Sequence, residues 1–143
     1  MLDTNVVLDW VAFGDARVRR MVEAIEGGAL RAATSGPCLA ELRRALGYPQ
    51  VKLNSDAQAA AFDRYETYAT RFDVSAGERM AELPRCEDPD DQKFLELAWH
   101  ARATHLVSRD KALLALARRI ERLGRFSVLD PAGFDLQLGP ARG

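Results

Sequence analysis

The chain is poor in the residues that most readily betray a chemistry. Cysteine is limited to Cys38 and Cys86. Two cysteines are too few for a disulfide framework, and their spacing is not that of metal ligands, which fits a reducing cytosol. Histidine is limited to His100 and His105. Five positions apart, they lie on different sides of a helix, so no zinc site is expected. No apolar run approaches the ~20 residues that cross a bilayer, and no basic-then-apolar signal opens the chain. Charge of one sign is missing too: 20 Lys and Arg stand against 21 Asp and Glu, a net charge of −1. There is therefore no global basic field to attract nucleic acid. Such a partner would have to be held by local arginine clusters or by metal ions. Repeats, low-complexity stretches and an interdomain linker are also absent.

What is there is a globular balance, 48% hydrophobic and 29% charged over 143 residues. That is enough chain for one cytoplasmic domain with a real core. The most informative stretch is 85–98, RCEDPDDQKFLELA. It crowds Glu87, Asp88, Asp90 and Asp91 just ahead of an apolar run at helical spacing: Phe94, Leu95, Leu97 and Ala98. Asp88 suits an N-cap, Pro89 the first helical position, and Asp90 and Asp91 the first turn. Acids at a helix N-terminus are favoured by the helix dipole alone, so the stretch gains meaning only from acids elsewhere.

Taken in order, residues 1–5 (MLDTN) look like the end of a buried strand entering a turn, with Val6, Val7 and Leu8 beginning a short apolar helix or loop. A buried strand would carry three or four more apolar residues before Asp3. Either the strand is short or the chain begins upstream. Residues 15–28 form an amphipathic helix, with Val18, Met21, Val22 and Ile25 at i, i+3, i+4 and i+7, capped by Asp15 and ended by Gly27 and Gly28. A weak strand is expected at 30–33. A second helix follows at 35–46, with Glu41 inside it, and a third at 55–70. A brief strand is expected at 72–74 and a connecting helix or loop at 75–83. Then come the acidic-headed helix 88–102, a strand at 104–108, a helix opened by Asp110 and reaching Arg122, a strand at 127–129 and a short turn at Pro131. The tail from Gln137 to Gly143 should be disordered. Strands alternating with helices predict an α/β fold, a mainly parallel sheet flanked by helices.

In such sheets, sites form at the carboxyl ends of strands. Asp3 ends the first strand and Asp110 follows the strand at 104–108. Asp91 lies in a first helical turn, and Glu41 is the acid in the interior of the second helix. Four carboxylates from four elements can therefore meet. Massed carboxylates repel one another and resist ionisation, and a hard divalent cation with oxygen ligands, Mg²⁺ or Mn²⁺, relieves that. Ordinary readings stand beside this one. Asp3, Asp91 and Asp110 are also plausible strand-end or helix-start acids, and Asp88 is foremost a cap. Asn5 can simply make a turn. Arg43, Arg44, Arg118, Arg119 and Arg122 fit solvated faces better than phosphate grips. Trp10, Phe13, Phe94 and Trp99 fit a core or a dimer interface better than base stacking. The histidines read as structural.

At these residues the sequence resembles a PIN-domain ribonuclease, of the kind found as the toxin of bacterial VapBC-type toxin–antitoxin pairs. The match rests on LDTN at 2–5, the acid of LAELRRAL at Glu41, DPDDQKFLELA at 88–98 and SRDKALL at 108–114. The resemblance implies a single PIN-like domain over 1–136, a three-layer sandwich with a central, mainly parallel sheet. It implies that Asp3, Glu41, Asp91 and Asp110 are the catalytic metal-binding acids, with Asn5, Asp88 and Ser108 in support. Many family members carry a further acid where this chain has Ala112. The implied chemistry is Mg²⁺- or Mn²⁺-assisted hydrolysis of RNA phosphodiester bonds. The implied partners are an RNA substrate, a cognate antitoxin protein and a second copy in a homodimer, with no membrane. The alternative is a PIN-like module that binds RNA or protein without cutting, which a divalent-metal titration separates from an enzyme. A phosphatase of the haloacid-dehalogenase type would need an acid at position 5, where this chain has Asn5.

Overall fold

The computed structural model describes residues 1–74 and 83–139. All of the connecting segment expected at 75–83 except Leu83 lies outside the described residues, as do residues 140–143.

Every strand pairing is parallel. Residues 1–3 run beside β3 (His105–Val107), with Val107 N–H donating to Met1 O at 2.9 Å and Asp3 N–H to Val107 O at 3.1 Å. On its other edge β3 pairs with β4 (Ser127–Leu129) in the register His105 to Ser127. A second pair joins β1 (Ala32–Thr34) to β2 (Ala69–Arg71), Ala32 opposite Ala69. The expected central sheet is therefore present among the described residues as two short parallel pairs, one widened by residues 1–3. A cavity of about 390 Å³ is lined by residues of both pairs and by apolar side chains including Met21, Ile25, Phe72 and Phe134.

The three layers follow from the period-two alternation of strand side chains. Met1, Leu106 and Val128 join one hydrophobic core, while Leu2, Val107 and Leu129 join the other. The Leu2 side carries α1 (Thr4–Val11), α2 (Arg19–Glu26), α3 (Gly36–Leu46) and α4 (Ser55–Tyr68), through Val6, Trp10, Ile25, Leu42 and Tyr65. The Met1 side carries α5 (Gln92–His100), α6 (Lys111–Leu114) and α7 (Ala117–Glu121), through Leu95, Leu113 and Ile120. Helices thus cover both faces of parallel strands, an α/β fold.

Several boundaries differ from the periodicity, each for a local reason. The helix expected over 15–28 begins as a 3₁₀ turn, Ala16–Val18, because the Asp15 carboxylate accepts from Arg17 N–H only two residues on. The third helix stops at Tyr68 rather than Thr70, and the strand expected at 72–74 falls earlier, at Ala69–Arg71. Pairing with Ala32–Thr34 overrides the helical pattern there, and only Phe72 extends the ladder, donating to Thr34 O at 2.8 Å. The helix expected over 110–122 is two pieces, broken at residues 115–116. The turn at Pro131 is a full helix, α8 (Pro131–Gln137), capped by Asp130 Oδ1, which accepts from Gly133 N–H at 2.7 Å. Of the tail expected from Gln137, that residue closes α8 and pairs with His105 Nε2 at 2.8 Å, and Gly139 O accepts from Arg20.

Candidate active site

Three of the four acids are placed by helix starts. Asp3, 3% exposed, ends the paired segment and caps α1: its Oδ1 accepts from Val6 N–H at 3.0 Å. Its Oδ2 accepts from the Ser108 hydroxyl, which is fully buried. The same Ser108 Oγ accepts from Asp110 N–H at 2.9 Å, and Asp110 Oδ1 caps α6 by accepting from Ala112 N–H at 2.7 Å. Ser108 therefore ties the two acids to one point at the carboxyl end of β3. Asp91 closes the 3₁₀ turn Pro89–Asp91 that leads into α5. Glu41 comes from the middle of α3, where the Thr4 hydroxyl donates to Oε2 and Lys93 Nζ to Oε1 at 3.2 Å.

These four carboxylates line one cleft of about 330 Å³, together with Thr4, Asn5, Phe13, Tyr48, Gln50 and Phe94. Its electrostatics are those of crowded acid. Asp91 is raised from the ordinary 3.8 to about 7, by desolvation first and then by the charges of Asp110, Asp88, Asp3 and Glu41. Its Oδ2 is buried with no hydrogen-bond partner, although the residue as a whole is half-buried. Asp3 is also raised, chiefly by burial, against the lowering effect of its bonds from Ser108 and Val6.

The donor set is all carboxylate oxygen, the preference of Mg²⁺ and Mn²⁺, and a buried polar oxygen without a hydrogen-bond partner calls for an explanation, a bound ion being one. Asp91 Oδ2 meets that description. Among the described residues, however, no three Asp, Glu, His or Cys side chains stand as a ready-made metal set. Glu41 has both oxygens engaged, by Thr4 and by Lys93, and Asp3 has both engaged as well.

The supporting residues divide. Asn5 is exposed in the cleft, and Ser108 lies beneath it. Asp88 does not line it. Its Oδ1 accepts from Asp90 N–H at 2.9 Å, the capping role its position implied, and its charge contributes to the raising of Asp91. Trp10 and Phe94 are core, and Trp99 is half-buried under the Arg125 guanidinium. Phe13 is 52% exposed and lines the cleft, so of the two expectations, core or interface, it is not core. Arg43 is exposed and lies over the Phe62 ring. His105 bonds to Thr104 and Gln137 and packs on Phe134.

Sequence reasoning passed over Thr4 and Lys93, although both lie inside the quoted motifs. It also passed over an ion pair between the buried Asp9 of α1 and the exposed Arg109 that follows β3. Asp9, 3% exposed, accepts from Arg109 at 2.9 Å, and Arg109 sits between Ser108 and Asp110. A buried acid on an otherwise apolar α1 was the available signal.

A crowded acidic cleft thus lies at the carboxyl end of parallel strands in an α/β protein. A PIN-domain family model matches residues 1–112, more than half the chain and a span that holds all four acids. The chain belongs to the PIN-domain family, whose fold is of the nuclease type. No curated protein and no solved structure matches it. Among the described residues no helix is long and apolar enough to cross a membrane.

Proposed function

We propose that this protein is a metal-dependent endoribonuclease, the toxin of a cytoplasmic toxin–antitoxin pair of the VapC kind. The observation that carries the reading is the cleft shared by Asp3, Glu41, Asp91 and Asp110, with Asp91 Oδ2 buried and unpartnered within it. Those four residues would hold Mg²⁺ or Mn²⁺. When bound, such an ion supplies an acidified water and charge stabilisation at the leaving oxygen. The chain's own residues set the stage. Ser108 fixes the rotamer of Asp3 and the backbone of Asp110. Thr4 and Lys93 hold Glu41. Asn5 offers exposed amide donors to the substrate. The partners that go with this reading are an RNA, an antitoxin and a second copy of the chain.

A binding module without catalysis is the second reading. It draws on the Lys93–Glu41 pair and on the lack of a ready-made metal set among the described residues. Cleavage of a labelled single-stranded RNA with Mg²⁺, Mn²⁺ or EDTA separates the two. Metal-dependent cutting is expected to fall by at least roughly 100-fold in both Asp3→Asn and Asp91→Asn, since second-sphere partners alone are worth about 10- to 100-fold. RNA binding without cutting, in any metal, supports the module instead.

A further inference from the structure

Two exposed aromatic rings stand at the acidic cleft. Among the described residues only four large hydrophobic side chains are exposed, and two of these, Phe13 at 52% and Tyr48 at 47%, line this one cleft. Both sit just past the C-terminal end of a helix, Phe13 after α1 and Tyr48 after α3, the two helices that also carry Thr4 and Glu41. Neither belongs to a loose loop. Phe13 N–H donates to Leu8 O at 3.0 Å, and Tyr48 N–H donates to Ala45 O at 3.1 Å. Gly14, at φ +55°, turns the chain away immediately after Phe13, a conformation that L side chains resist. The backbone at both positions is thus held, while each side chain stays about half exposed. Two exposed amides, Asn5 and Gln50, share the cleft with them.

We propose that Phe13 and Tyr48 are stacking surfaces for unpaired bases of a strand bound in the acidic cleft they line. The inference rests on the ribonuclease reading and names its substrate class as single-stranded RNA. An acidic cleft offers the backbone little attraction of its own, so affinity has to come from the uncharged part of a nucleotide. Aromatic faces supply it without sequence preference, while exposed amides can read a base edge. A duplex already stacks its bases on each other and offers the rings no free base face.

The test measures kcat and KM for a labelled single-stranded RNA with wild type, Phe13→Ala, Tyr48→Ala, Tyr48→Phe and the double alanine variant. Circular dichroism confirms folding, and light scattering reports oligomeric state. Each alanine is expected to raise KM about tenfold with kcat little changed, Tyr48→Phe to behave as wild type, and a duplex of the same sequence to compete poorly. Base stacking worth ~1–3 kcal/mol sets that scale. Unchanged KM in the double variant overturns the proposal while leaving the ribonuclease standing. So does dissociation of a dimer by either alanine, which would make the rings an interface between copies. A wild type that neither cuts nor binds RNA in Mg²⁺ or Mn²⁺ overturns both readings.

Discussion

Ser108 shows how much one small residue can decide. Its fully buried hydroxyl donates to the buried Asp3 and accepts from the backbone of the half-buried Asp110. Ser108→Ala leaves an acceptor and a donor unpartnered, so urea denaturation should show a loss on the order of 1–3 kcal/mol. Arg109→Ala would strand the Asp9 carboxylate, whose Oδ2 already lacks a partner, and a loss of similar size is expected, again about 1–3 kcal/mol. Asp91 carries a signature in pH. Its folded value of about 7 stands above the ordinary 3.8, so between those limits the folded state holds more protons than the unfolded one. Its contribution is complete below pH 4 and gone above pH 7, and metal-free stability should decline across that window. Denaturation in EDTA across the range should show a flatter profile for Asp91→Asn than for wild type. The acids themselves were legible in the sequence as four separated residues, because carboxylates next to strand ends and helix starts are conspicuous. Ser108 stood beside them only through the family resemblance, and its hydrogen bond to Asp3 and the Asp9–Arg109 pair were not legible, since they join positions about 100 apart in the chain.

At the scale of elements, helix caps and cleft acids are in part the same side chains. Asp3 caps α1 and Asp110 caps α6, each with one carboxylate oxygen. Asp88 does only the capping, on the turn that delivers Asp91. Asp88→Ala should therefore cost ~0.5–2 kcal/mol of stability and leave RNA cleavage within a fewfold of wild type, in contrast to Asp91→Asn. Most helices were readable because apolar spacing and caps are local. Ends were less so. Ala69 and Thr70 carry a helical pattern yet form β2, because the ladder to β1 offers their backbone groups partners that no nearby sequence reveals. The break at residues 115–116 likewise has no Gly or Pro to announce it.

For the whole molecule, the cleft is a place where binding and folding are linked. A divalent ion that binds the folded cleft and not the unfolded chain raises stability by about 2.7 kcal/mol at a hundred times its Kd. Thermal unfolding should accordingly shift upward in Mn²⁺ or Mg²⁺, return in EDTA and shift much less in Asp91→Asn. The sequence by itself determined the kinds of group available: an α/β succession, two apolar faces and acids at the right ends of their elements. Those follow from spacing, capping and hydrophobic period, which act over a few residues. Only the tertiary structure decided that Asp3, Glu41, Asp91 and Asp110 share a cleft, that Lys93 reaches Glu41, and that Phe13 stays exposed while Trp10 is buried. Those outcomes depend on how α1, α3 and α5 pack about the parallel strands, and packing brings together residues whose distance along the chain carries no information about their distance in space.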